Sequence, residues 1–133
     1  MVGEVALLAK LLFSEAIKSK PDLAAKDATA IAHVVVNRMA NRGQTLEEVV
    51  YAPYQFSGVG SKEWNKVETN NLTKDEQDIY KKFLQISHVV LSGKSQDPTG
   101  GADHYFNPKL VKPSWAKKMK KVYSSDAHDY YKE

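Results

Sequence analysis

The chain has 133 residues, no cysteine, 42% hydrophobic and 26% charged side chains, and a formal net charge of +3. That length fits one domain by the usual span of ~100–200 residues, with room for a core that needs no staples. Missing cysteine excludes disulfides and thiolate metal centres and leaves the redox compartment open, and no run approaches the ~20 apolar residues of a membrane span.

Residues 2–18 carry helical spacing, with Val5, Leu8, Leu12 and Ala16 on one stripe. At ~100° per residue Glu15 projects between Leu8 and Leu11. That places a carboxylate half-buried among leucines, although Lys10, Ser14 and Lys18 mark a solvent side. Pro21 is expected to end this helix. Residues 26–41 form a second helix whose apolar face, Ala28, Ile31, Ala32, Val35 and Met39, is widened by Val34 and Val36, so a central position is expected. Gly43 after Asn41-Arg42 is a C-terminal stop. Thr45-Leu46-Glu47-Glu48 is a capping box that opens a short third helix, closed by Pro53. Tyr54 to Ser61 reads as loop or short strand. Thr73-Lys74-Asp75-Glu76 is a second capping box, opening a long helix through Ile79, Phe83, Ile86 and Val90 that stops at Ser92-Gly93.

The run Asp97-Pro98-Thr99-Gly100-Gly101-Ala102-Asp103-His104-Tyr105-Phe106-Asn107-Pro108 then combines a turn with an aromatic segment. A strand is expected over 102–107, with Tyr105 facing opposite to His104 and Phe106. Trp115 to Val122 reads as a short helix. Ala127 to Tyr131 reads as a second strand, pairing with 102–107 and burying Tyr105 or Tyr131 against the helices. The expected fold class is a single α+β domain over 1–133, mostly helical, with a small antiparallel sheet near the C-terminus.

Several side chains stand out chemically. A carboxyl in Glu15's surroundings loses hydration when charged, which favours the proton-holding state a general acid needs; the competing reading is a helix glutamate paired with a basic side chain. Gln55, Phe56 and Ser57 put an amide, a ring and a hydroxyl in sequence, suited to an N-acetylated sugar or to anchoring a loop. Asn37-Arg38 suits the capping of a neighbouring loop or contact with substrate, and Trp115 a core plug or a sugar platform. His33 reads as a hydrogen-bonded core residue and His88 as structural or exposed. Glu15, His104 and His128 would make a zinc triad, but no metal-ligand spacing supports one, so neither metal nor cofactor is expected. No phosphate-binding glycine loop and no nucleophile elbow is present. Lys109, Lys112, Lys117, Lys118, Lys120 and Lys121 form a basic stretch, read as a solvated face that also suits a polyanionic surface; with no nucleic-acid motif, no nucleic-acid partner is expected.

With these residues in view, the chain resembles the SleB/CwlJ-type (spore-cortex-lytic) cell wall hydrolases. Four blocks carry the resemblance: Leu12-Phe13-Ser14-Glu15-Ala16; Ala32-His33-Val34-Val35-Val36-Asn37-Arg38; Gln55-Phe56-Ser57; and Asp97 to Gly101 with Tyr105-Phe106-Asn107-Pro108, similar to the family's DPTGGA…YFNP signature. His128-Asp129-Tyr130-Tyr131 echoes its closing strand. The resemblance implies a lysozyme/lytic-transglycosylase-like fold, peptidoglycan glycan strands as substrate, and Glu15 as the catalytic acid. It further implies cleavage of the bond after N-acetylmuramic acid, with the muramic C6 hydroxyl closing a 1,6-anhydro ring. Gln55, Phe56, Ser57, His104 and Tyr105 are expected to line the cleft. Such chemistry needs no second carboxylate, for which Asp103 and Glu63 are the candidates. The family often continues E-A-x-G-E, whereas this chain has Glu15-Ala16-Ile17-Lys18-Ser19-Lys20 and lacks that second acid. A branch with histidine before the tyrosine, as in His104-Tyr105, keeps a metal-dependent amidase as the alternative, and a non-catalytic wall-binding module is another. Met1 to Lys10 lacks a basic leader, so no signal peptide is expected; a monomer is expected, acting on the wall in the manner of a phage lysin or after release by a separate route.

Overall fold

The computed structural model describes residues 2–16 and 21–133. Five α-helices come first: α1 (Val2–Glu15), α2 (Pro21–Arg42), α3 (Leu46–Val50), α4 (Lys62–Glu68) and α5 (Lys74–Leu91). A three-stranded sheet follows, made of β1 (His104–Phe106), β2 (Lys120–Ser124) and β3 (Asp129–Lys132), with a 3-10 turn at Ser114–Lys118 before β2. Both capping boxes form, with Thr45 and Thr73 accepting from Glu48 and Glu76 backbone N–H groups while those glutamates return the bond. This is the α+β class, mostly helical with a small antiparallel sheet near the C-terminus.

Two helices share the centre: α1 packs against α2, α3, α4 and α5, and α2, expected there, packs against α1, α3, α5 and β1. Leu8, Ala9, Leu11, Leu12 and Phe13 on α1 are wholly buried, each large side chain contributing roughly 1.5–3 kcal/mol of burial. From α2 come Ala24, Ala28, Ile31, Ala32, Val34 and Val35, and from α5 Phe83 and Val90. Among the described residues no helix is long and apolar enough to cross a membrane.

The structure departs from expectation in four places. Pro21 opens α2 instead of closing the helix before it; proline suits the first helical turn, where its missing N–H has no partner to lose. The first helix ends at Glu15, and its expected extension over 17–18 lies outside the described residues. Residues 62–68, expected as no element, form α4, capped by Ser61, whose side chain accepts from Trp64 N. The expected helix over 115–122 is a 3-10 turn that gives way to strand β2, because Lys120 to Ser124 pairs with β3.

The sheet order is β1-β3-β2, all antiparallel. Tyr105 pairs with Tyr130 and His104 with Tyr131, so Tyr105 and Tyr130, not Tyr131, share the face toward the helices. Their rings lie 5.6 Å apart. On the outer face Trp115 covers His104, Phe106 and Tyr131 at centroid distances of 5.0, 5.6 and 5.6 Å.

Candidate active site

The end of α1, the loop before α4, β1 and the segment before β3 enclose a cleft of about 540 Å³. Glu15, the last residue of α1, is half-buried in its wall. Both of its oxygens accept hydrogen bonds: Oε2 from the Gly58 backbone N–H at 2.6 Å, Oε1 from the Tyr105 hydroxyl. These donors come from elements far apart in sequence, so the carboxyl is aimed by tertiary structure. A Cβ on Gly58 would overlap Ser14 Oγ and Glu15 Oε2, so only glycine lets the loop come this close. Burial, and after it the neighbouring Glu15 charge, push the Tyr105 phenol well above its ordinary value. The phenol therefore keeps its proton and stays a donor.

Arg38 reaches the cleft from α2 while buried. Its Nε donates to the Asp103 carbonyl at 2.6 Å, Nη1 donates to Gln55 Oε1 at 3.4 Å, and the guanidinium lies 4.8 Å over the Phe56 ring. Burial lowers it from its usual value, with Tyr105 first among the groups opposing that fall. Asn37 beside it pins the loop that leads to β1, donating to Asp97 Oδ2 at 3.0 Å and to the Ala102 carbonyl at 2.8 Å. Asp97 also accepts from Thr99 N, Thr99 Oγ1 and Gly101 N. The loop turns through Gly100 and Gly101 at φ +70° and +93°, a region side chains resist.

Of the residues picked from sequence, Glu15, Gln55, Ser57 and Tyr105 line this cleft. Phe56 and His104 are not brought to it. Phe56 is buried under the loop against Arg38 and Tyr105. His104 points to the outer face of the sheet, where Trp115 covers it and its Nδ1 bonds Asp103 at 3.0 Å, because neighbours on a strand alternate sides. That placement also takes apart the zinc grouping of Glu15, His104 and His128. Asp103, His104 and Glu133 do bring ligand atoms within 4.8 Å of one another, but none of them lines the cleft. Nor does either candidate second acid: Asp103 is held by Asn41 and the Glu133 backbone N–H, and Glu63 pairs with Lys66 on α4. Among the described residues Glu15 is the one carboxylate in the lining.

Some contributors carry little sequence signature. Gly58 acts through its N–H alone. Tyr54, fully exposed at φ +62°, is part of the lining, as are Leu110 and Val111, both exposed. His128, expected as a metal-ligand candidate and in the closing-strand echo but not as a cleft residue, is among the lining residues, and its ring lies 5.0 Å from that of Tyr105.

The fold is similar to the catalytic domain of the germination-specific lytic transglycosylase SleB from Bacillus anthracis, with a TM-score of 0.67 and 22% identity over 97% of this chain and 93% of that one. The catalytic domain of the Bacillus cereus SleB protein matches with the same TM-score of 0.67 and 22% identity, over 97% of this chain and 89% of its own. No curated protein sequence matches the chain. A family model described as Cell Wall Hydrolase matches residues 24–131, from within α2 into β3, so Glu15 itself precedes the matched residues. On that match the chain belongs to the cell wall hydrolase family.

Proposed function

We propose that the protein is a lytic transglycosylase of peptidoglycan, cutting glycan strands between N-acetylmuramic acid and N-acetylglucosamine with Glu15 as acid and base. The observation that carries this reading is a single cleft carboxyl held by Gly58 N–H and the Tyr105 hydroxyl, with no second carboxylate among the described lining residues. Glycosidases of the paired type set two carboxyl groups roughly 5–9.5 Å apart across the scissile bond. A lone acid fits a route in which the substrate supplies its own nucleophile. Glu15 gives its proton to the glycosidic oxygen as the C1–O bond breaks and the leaving sugar departs with a 4-hydroxyl. The muramic C6 oxygen then bonds to C1, and its proton passes to the Glu15 carboxylate, which restores the acid. The SleB domain of Bacillus anthracis, described as a lytic transglycosylase, has this fold and supports the same activity here.

Gln55 and Ser57 supply exposed polar groups for the N-acetyl and hydroxyl substituents, and Tyr54 offers a ring for a sugar face. The net charge of +3 favours approach to an anionic wall. We take the working form to be a monomer, which sedimentation would check.

The test is digestion of purified sacculi by the native protein and by Glu15→Gln, with the fragments weighed by mass spectrometry. Anhydromuramic ends released by the native protein and none by a folded Glu15→Gln are expected. Reducing ends would indicate hydrolysis, freed stem peptides an amidase, and binding without fragments a non-catalytic module.

A further inference from the structure

Asp27, on α2, is 1% exposed, and its Oδ1 accepts three hydrogen bonds: from Ser125 Oγ at 2.8 Å, the Tyr130 hydroxyl at 2.9 Å and His128 Nδ1 at 3.0 Å. Burial and then the adjacent Asp27 push the Tyr130 phenol up, so it too remains a donor. A carboxylate oxygen can only accept, which places the proton of His128 on Nδ1. The other ring nitrogen, Nε2, is then an acceptor in the neutral imidazole. It makes no hydrogen bond among the described residues, and His128 is one of the residues that line the cleft. A buried acid holding an imidazole by Nδ1 is a general means of fixing both tautomer and ring direction.

One phenol separates this imidazole from Glu15. Tyr105 donates its hydroxyl to Glu15, and its ring meets the His128 ring at 5.0 Å and 87°. Among the described lining residues, His128 is the only one with a side-chain nitrogen that can accept, since the other nitrogen-bearing side chains, Arg38, Gln55 and Asn107, offer donor nitrogens.

We propose that His128, held by Asp27, is a substrate-positioning residue whose Nε2 accepts a hydrogen bond from the muramic C6 hydroxyl and keeps it aimed at C1. The proposal rests on the transglycosylase reading above. It adds no bond-making step: the C6 proton still passes to Glu15, and His128 decides which oxygen, the substrate's own or that of water, reaches C1 first.

The decisive variants differ by one methylene, which sets where the amide lies. His128→Asn keeps an N–H where Nδ1 stood, for Asp27, and loses the acceptor at Nε2; His128→Gln places an amide oxygen near the Nε2 position. On purified sacculi His128→Asn should lose roughly 100-fold in turnover, the order expected for a lost orienting contact. It should also release a larger share of reducing ends relative to anhydro ends, with sacculus binding and melting temperature held. His128→Gln should recover part of the turnover and of the anhydro share. Native turnover with a native product ratio in His128→Asn overturns the proposal, and so does a loss that follows the melting temperature while the ratio stays fixed. Should His128→Asn not fold, Asp27→Asn decides, because it leaves an oxygen for the three donors but removes the charge that fixes the tautomer; an unchanged ratio there overturns it. Glu15→Gln is run beside them. If it still digests sacculi, the reading of the reaction has failed; if it is inactive while His128→Asn is native in rate and ratio, only the assignment of His128 has.

Discussion

In the proposed reaction Glu15 depends on what holds it. Its two donors are of different kinds, a backbone N–H that exists only where Gly58 lets the loop approach and a phenol kept protonated by burial. Each can be removed separately. Tyr105→Phe deletes the hydroxyl and leaves the ring among Phe56, His128 and Tyr130, so folding should persist while turnover on sacculi falls about 100-fold, the typical cost of a reacting group displaced by ~1 Å. Activity at the native level in that variant would show that Tyr105 is packing alone. Gly58→Ala acts on the other oxygen. Its Cβ overlaps Ser14 and Glu15, an overpacking expected to destabilise by roughly 1–3 kcal/mol and to move the carboxyl. A thermal melt and a sacculus assay together should show activity lost well below the temperature at which the variant unfolds.

The loop from Asp97 to Asp103 is the element that delivers Tyr105. Burial alone would raise the Asp97 carboxyl, but bonds from Asn37 and Thr99 outweigh it and hold the group below its usual range. Asp97→Ala removes the acceptor for Asn37, Thr99 and Gly101 at once. It should lower unfolding free energy by roughly 2–4 kcal/mol, at about 1 kcal/mol per hydrogen bond and more for those to a charged group. Denaturant titration would check this; an unchanged midpoint would mean the glycines alone set the turn. This loop was legible in sequence because its chemistry is local, as were the capping boxes at Thr45 and Thr73, each closed within three residues. What was not legible is non-local. Lys120 to Ser124 has no strand alternation to set it apart from the helix expected through Val122, and it becomes β2 by pairing with β3. Glu15 was readable as an unusual acid on an apolar helix, but nothing near it in sequence announces Gly58 or Tyr105, which lie 43 and 90 residues away. His104 and Tyr105 were separable by strand alternation, and the structure sends only the tyrosine to the cleft.

Across the whole molecule, α2 is the clamp between the helices and the C-terminal part of the chain. From its polar side Asp27 holds Ser125, His128 and Tyr130, His33 Nε2 bonds Ser95 at 2.8 Å, Asn37 holds Asp97, and Arg38 and Asn41 hold Asp103. Three of these groups titrate with the same sign. Asp97 and Asp103 lie below their ordinary range: burial would raise Asp103 as well, and bonds from His104 and the Glu133 backbone reverse it. Their stabilisation is present above the unfolded carboxylate value, near pH 4, and is lost as pH falls through the lower folded values. His33 is also lowered, by burial and against the pull of Asp97. On acidification through about pH 6.5 the unfolded chain therefore takes up that proton before the folded chain does, and stability drops. These groups together predict a denaturation midpoint that is flat above about pH 7, declines gradually through pH 6 to 5, and falls more steeply near pH 4 and below. His33→Gln, which keeps a polar group toward Ser95, should remove the upper part of the decline and leave the steep acid limb. A native midpoint that rises between pH 7 and pH 5, or an upper limb that survives in His33→Gln, would show that the clamp is not what titrates.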